Sequence, residues 1–458
     1  MSKLMRLWRH LNNYKSNDFV KAVGVLIGGT ALAQILMMAL LPVLTRLYTP
    51  DDFSVLSIYL ALLSVISVAA TLRFELAISI PEDELEARNL LYLSVLFSLV
   101  TASIFAGLIF FFSADISSLF GRSNLHSYLW VLPIGIFFSG SYSALQFWAG
   151  RKRRFSIIAK TRVQQAVGAA SVQMLFGVLS GGPLGLILGQ TINNGAGVLG
   201  LARNIYCVDK SLLTRVHPRQ IFELIIKYSR FPKYSMLEGL ANNAAIQVPV
   251  IVIASLSVGP EAGYLLLAMQ LMQAPVSLVG GAVSQVYLSK APEMYRVGKL
   301  SDFTSETLLG LIKVGIIPLA IAGAAAPLLF PFIFGEQWSR TGVIVLYMVP
   351  WIGMQLLASP ISMALHVTNN QPIAMGLQFS GLLLRVGAVA VSASWFPNTL
   401  TEVYAVTGFI FYACYLLIVM KVTGVNSRKL LSRVKLIIGV ALVILLFGFS
   451  YIALQRLI

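Results

Sequence analysis

Charge is scarce in this chain. Only 11% of its 458 residues are Asp, Glu, Lys or Arg, against roughly 25% in a soluble globular domain. That shortage excludes a water-exposed fold for most of the chain, and the 57% hydrophobic content assigns it to the bilayer. Cysteine is almost missing: Cys207 and Cys414 are too few for a disulfide framework, and no Cys/His spacing suggests a metal site. The four histidines (His10, His126, His217 and His366) stand far apart. No phosphate-loop, dinucleotide or zinc-protease signature is present. Low-complexity tracts and soluble domains are absent too. Acids are the rarer sign, 18 against 34 bases, for a net charge of +16. On a soluble protein that excess would point to nucleic acid. Here it fits bases retained on the cytoplasmic side, facing anionic lipid, and no nucleic-acid partner is expected.

What the chain does have is long apolar runs. A spanning helix needs about 20 mostly apolar residues. Thirteen candidates occur, at 20–44, 53–74, 90–112, 128–149, 160–179, 184–203, 234–256, 262–287, 307–331, 341–366, 372–396, 401–421 and 436–455. These runs are too long for barrel strands, so the fold class is an all-α polytopic membrane protein. With the N-terminus in the cytoplasm, the alternating loops place 28 Lys/Arg on the cytoplasmic side and 4 on the other. That is a strong positive-inside bias. Residues 1–19 are basic and polar, and the run that follows is longer than a signal-peptide core, so the first span is read as its own insertion signal. If 436–455 lies on the surface or re-enters, the count becomes twelve.

The two halves echo each other at an interval of 210–217 residues. "FVK" (19–21) resembles "FPK" (231–233), and "LYTPDDFS" (47–54) resembles "SVGPEAGY" (257–264). "LFG" (119–121) resembles "IFG" (333–335), and Pro133 matches Pro350. Both halves start on the same side. The expected organisation is therefore two six-helix bundles in parallel repeat around a central cavity, 1–210 and 211–425, with an extra C-terminal transmembrane helix in 426–458. Gly24-x-x-x-Gly28 and the Gly181/Gly185/Gly189 spacing suggest close helix packing. Prolines within the spans, among them Pro42, Pro249, Pro275, Pro318 and Pro350, are either ordinary membrane-helix tolerance or bending points.

Polar groups at membrane depth mark the candidate site. Arg385 lies mid-span, where a central arginine costs about 2.5–3.5 kcal/mol, and helical spacing aligns it with Gln378, Gly381 and Ser392. A hydrated wall is one reading; satisfaction by carbonyls or a carboxylate inside one half is the other. Arg162, Gln165 and Gln173 form a second stripe. Lys313 can either snorkel or face the cavity. The seventh span opens with Lys227, Arg230 and Lys233 at its cytoplasmic mouth and carries Glu238, Asn242, Asn243 and Gln247 inward. Glu238 is the candidate for cation coupling, or the partner of a neighbouring base such as Lys233. Gln34, Gln270, Gln273 and Gln285 are further wall candidates.

"RFELAISIP" (73–81), "KYSRFPKYSMLEGLANNAAIQVPVIVI" (227–253) and "GPEAGYLLLAMQLMQAPVSLVGGAVSQVYLSKAPE" (259–293) resemble the Wzx-type polysaccharide exporters. These belong to the multidrug/oligosaccharidyl-lipid/polysaccharide exporter superfamily. "RFSIIAKTRVQQ" (154–165) and "FGEQW" (334–338) also fit. The resemblance runs from about residue 17 to 420. It implies a flippase, not an enzyme, in the bacterial inner membrane. The implied substrate is an undecaprenyl-pyrophosphate-linked oligosaccharide such as an O-antigen unit, moved between leaflets with a proton or sodium gradient and no bound cofactor. Membrane lipids, a polysaccharide polymerase and a chain-length regulator are the expected partners. Arg73 and Glu75, within the first motif, join the cytoplasmic mouth. The extra helix departs from the twelve-span pattern. A lipid II flippase or drug exporter of the same superfamily is the alternative. A glycan polymerase or ligase fits less well, because no long periplasmic loop is present, and a purely structural scaffold gives no reason for a mid-span arginine.

Overall fold

The computed structural model describes residues 17–120, 123–208, 218–257, 259–368 and 370–457, and every regular element in them is helical. The basic segment 1–16, which bears on the N-terminal orientation, and the proposed boundary at 210/211 lie outside the described residues. We number the long helices α1 (Asn17–Leu47), α2 (Pro50–Ala69), α3 (Glu84–Leu119), α4 (Val131–Arg151) and α5 (Phe155–Val178). Helix α6 is split into Pro183–Gly195 and Gly197–Val208. A connecting helix, Pro218–Lys227, leads to α7 (Met236–Leu256), α8 (Glu261–Arg296) and α9 (Leu300–Phe334). Then follow α10 (Ser339–Ile361), α11 (Gln371–Trp395), α12 (Leu400–Thr423) and α13 (Ser427–Leu457).

Among the described residues, ten helices are long and apolar enough to cross a membrane by length and composition. α13 is one of them. The other three, α4 to α6, stand where the fourth to sixth predicted spans were expected, and they are the more polar ones. α5 carries Lys160, Arg162, Gln164, Gln165 and Gln173.

Local signals set the boundaries. Thr49 caps α2 with Pro50 in the first turn, and Asp52 returns the bond to the Thr49 amide at 2.9 Å, a complete capping box. Asp83 caps α3, and Gly424 ends α12 in the left-handed region, at φ 74°. Three π-helical turns interrupt the second half: Phe231–Ser235, Val276–Gly280 and Ile312–Ile316. Each stands beside a proline: Pro232 inside the first, Pro275 just before the second, Pro318 just after the third. Proline cannot donate to the carbonyl one turn back, and the wider turn absorbs that break.

The same pairings recur in both halves. α1 lies along α5, α5 along α6, α3 along α4 and α4 along α6; likewise α7 lies along α11, α11 along α12, α9 along α10 and α10 along α12. This is the parallel repeat, seen as packing. The bundles meet mainly along α2–α7 and α2–α8, with α1 touching α8 and α9. α13 packs on α9, where Gly448 lies against Ala324, and on α10, where Phe449 meets the Tyr347 ring edge-on at 5.1 Å.

Burial shows how the bundles join. One apolar core takes residues from both: Phe53 and Ile58 from the first, Ile253, Leu265 and Trp338 from the second. All of these lie toward the end away from the basic loops. At the basic end the core divides in two. One part, around Phe74, Leu90 and Trp148, belongs to the first bundle, with Tyr228 from the connection packed onto it. The other, around Tyr287, Leu308, Ile361 and Val419, belongs to the second. The bundles share one apolar core at the far end and keep separate cores at the basic end, where they still touch through Arg73 and Val68 against Gly239.

Candidate functional site at the bundle seam

The seam runs between α1 and α2 on one side and α7 and α8 on the other. At the far end it is tight. The Trp338 indole N–H and the Gln337 amide both donate to the Thr45 carbonyl, at 2.9 and 3.0 Å. Phe53 meets the Trp338 ring edge-on at 4.8 Å. The Gly263 N–H donates to Ser54 Oγ at 2.9 Å, and Gly263 presses on the Pro50 carbonyl so closely that no Cβ fits. These contacts join the two turns that the sequence repeat paired, 47–54 with 257–264. Behind them Arg340 is held by Glu261 at 2.9 Å and Glu402 at 2.7 Å.

Midway, polar groups tie the bundles together. Ser64 Oγ donates to Asn243 Oδ1 at 2.9 Å, and Asn243 Nδ2 donates to the Ser64 carbonyl at 3.2 Å. Gln247 reaches Ser64 Oγ at 3.5 Å. On the other flank Gln34 donates to Ser277 Oγ at 2.8 Å. Ten of the fourteen residues 50–63 of α2 are buried, whereas 64–67 are only partly so before Val68 and Ala70 are buried again. α7 shows the same gradient: Val250 and Ile253 are buried, while Asn242, Glu238, Tyr234 and Lys233 are exposed. The seam therefore opens as a wedge toward the basic end.

At the wedge mouth, Leu72 and Arg73 take left-handed backbone conformations (φ 49° and 64°) between α2 and the short helix Phe74–Ala77. Such conformations are costly for residues with a Cβ. They turn the Arg73 guanidinium across the seam onto Gly239 of α7, where a side chain would collide with it. Arg73 pairs with the buried Glu75 at 3.6 Å, and Thr71 hydrogen-bonds the same carboxylate. Arg73 Nε is buried without a hydrogen-bond partner. Arg230, Lys233 and Glu238 are exposed nearby in sequence.

Some expected residues are elsewhere. Arg385 does not line the wedge. It is 2% exposed, inside the second bundle between α11 and α12. Its Nε donates to the Gly381 carbonyl at 3.0 Å, and its guanidinium lies 4.7 Å from the Phe411 ring centre. A ring face and a carbonyl satisfy the charge inside one half, the second of the two sequence readings. Beside it the Tyr404 hydroxyl donates to the Ile246 carbonyl of α7 at 3.2 Å. Gln378 is partly buried and Ser392 buried on the same helix. In the first bundle Arg162 stays local, donating to Gln146 at 3.0 Å over the Tyr142 ring. Gln165 and Gln173 are buried within the bundle, Gln165 beside Gly197 at the break in α6. Lys313 is exposed in its π-helical turn. Lys227 does not flank α7: it bonds Glu86 of α3, as does Tyr228 at 3.0 Å. The Glu86 bond raises the Lys227 pKa, and burial, followed by the same bond, raises that of Tyr228.

A cavity of about 630 Å³ at the seam, between α1, α8, α9 and α10, is apolar, lined by Ile35, Met38, Met272, Phe330 and Val345 among others. Gly24 and Gly28 pack on nothing, and Gly29 is the residue pressed against Ala159, whereas Gly185 and Gly189 do make close contacts. The sequence reading missed Ser64 and Ser277, which look like ordinary membrane-helix serines until the partner bundle is placed.

Residues 43–342 match the family described as polysaccharide biosynthesis protein. The chain belongs to that family. No curated protein matches it. Among solved structures, this family member is similar to an inward-facing multidrug resistance MATE family transporter of the MOP superfamily. Identity is 14% and the TM-score 0.67, covering 86% of this chain and 98% of that one. It is also similar to the lipid II flippase MurJ in an inward closed conformation, at 16% identity and TM-score 0.65, over 97% and 100%. A MOP superfamily transporter from Pyrococcus furiosus matches at 14% and 0.51, over 88% and 94%. The fold is the one these solved transporters share.

Proposed function

We propose that this protein is a flippase carrying an undecaprenyl-pyrophosphate-linked oligosaccharide, such as an O-antigen unit, from the cytoplasmic to the periplasmic leaflet of a bacterial inner membrane. The observation that carries this is the pair of bundles sharing one apolar core at the far end and keeping separate cores at the basic end. Positive-inside bias makes the basic end cytoplasmic, with the N-terminus on that side. A headgroup then enters a wedge that is sealed from the periplasm. Arg73, Arg230 and Lys233 at the mouth meet the pyrophosphate through charge-assisted hydrogen bonds. Asn242, Asn243 and Gln247 face the sugar, and the hydrocarbon anchor stays in the apolar seam and the lipid beside it. Rocking about the shared core breaks the Thr45–Trp338 and Ser54–Gly263 contacts and opens the other side. Glu238, exposed on α7, is the group that a proton or sodium ion neutralises to couple the step. A polysaccharide polymerase and a chain-length regulator take the product.

Membership of a polysaccharide family favours this over a drug exporter. Deleting the gene and identifying the lipid-linked glycan retained on the cytoplasmic leaflet tests it. Accumulation of an undecaprenyl-linked oligosaccharide is expected. Accumulation of lipid II would replace the reading with the lipid II flippase, and no accumulation at all would remove it.

A further inference from the structure

On the flank of the first bundle, away from the seam helices, α3, α4 and α6 enclose a second cavity of about 460 Å³. Its walls are oily, with Leu91, Val95 and Leu145, and aromatic, with Tyr92 and Trp148. Two arginines line it, Arg88 and Arg203. Arg88 is 4% exposed, bonds Asn89 Oδ1 at 2.9 Å and lies 5.8 Å from the Tyr92 ring centre. Arg203 is exposed. Arg88 stands one turn inside the start of α3, so the pocket sits at interface depth on the basic side.

The surroundings suit an anionic lipid. Leu199, Tyr206 and Val208 on α6, and Phe222 and Ile226 on the connecting helix, are all exposed apolar or aromatic groups. The nearby carboxylates are engaged: Glu84 by Lys152 at 2.6 Å, Glu86 by Lys227 and Tyr228. A guanidinium rim over an apolar interior matches a phosphodiester above an acyl chain, the usual form of a cytoplasmic-side anionic-lipid site. A zwitterionic headgroup would bring its own ammonium against the arginines. We infer that this pocket binds one anionic glycerophospholipid, with the exposed Arg203 holding the phosphate and the apolar walls holding the start of one acyl chain.

Native mass spectrometry of the full-length protein in detergent tests this, using phosphatidylglycerol, phosphatidylethanolamine of the same chains, and glycerol 3-phosphate as probes. Wild-type protein should retain one phosphatidylglycerol in preference to phosphatidylethanolamine and should bind no glycerol 3-phosphate at the same concentration. Arg203→Ala should weaken phosphatidylglycerol binding about fivefold, the effect of one interfacial cation, and Arg203→Lys should restore most of it. Arg203 is exposed, so neither change threatens the fold. Equal retention of both lipids, or phosphatidylglycerol binding that ignores Arg203→Ala, would overturn the proposal. Glycerol 3-phosphate binding as tightly as the lipid would also overturn it, by making the pocket a free-phosphate site.

Discussion

At the scale of residues, burial decides what each charge can do. Arg385 contacts a ring face and a carbonyl, and neither contact faces the wedge. Removing a buried arginine leaves a cavity and loses the cation–π contact, so Arg385→Ala should cost about 2–4 kcal/mol of stability. A buried charge can often be replaced by an apolar group of similar volume at little cost, so Arg385→Met should stay within about 1 kcal/mol of wild type and keep transport. Thermal unfolding in detergent and a glycan export assay read both; export lost in a stable Arg385→Met protein would return Arg385 to the substrate path. Lys227 gives a pH prediction. Its folded pKa is raised above 10.5 by Glu86, so its contribution is complete below the unfolded value and is lost as pH rises through the folded one. A spin label at Ile226 should gain mobility only at strongly alkaline pH, and Glu86→Gln should remove that transition.

Elements carry the seam. Asn243 and Ser64 join α7 to α2, and a double-mutant cycle between Asn243→Ala and Ser64→Ala should give a coupling of about 0.5–1.5 kcal/mol. Gly263 lets α8 approach the Pro50 carbonyl, a backbone atom with no room to swing aside. Gly263→Ala should therefore loosen the far-end seal, raising the reactivity of a cysteine placed at Ser54 toward a periplasmic thiol reagent; unchanged reactivity would mean the contact is not part of the seal. Much of this scale was legible in sequence. Hydropathy located the spans, and the paired turns at 47–54 and 257–264 announced the repeat. The direction of a polar stripe was not legible. Helical period fixes which residues share a face, yet it is silent on whether that face meets water or Phe411, 26 positions away in sequence. Likewise Gly24-x-x-x-Gly28 satisfies a spacing rule while Gly29 makes the contact, because the neighbour, Ala159, is chosen by tertiary packing.

For the whole molecule, the decisive feature is asymmetry along the seam: one shared core at the far end, two separate cores at the basic end. The parallel repeat makes the two bundles alike, and similar surfaces meeting about an axis can rock between two closures. Composition foretold a membrane protein. The groove between α1, α8, α9 and α10 at the seam is lined by Met, Phe, Ile and Leu. The most direct test is a short reversible cross-link across the far-end seal, between cysteines replacing Thr45 and Gln337, in protein with Cys207 and Cys414 changed to Ser. Cross-linked protein should cease to deliver the lipid-linked glycan to the outer leaflet and should recover on reduction. Undiminished delivery with the link intact would contradict alternating access through this seam.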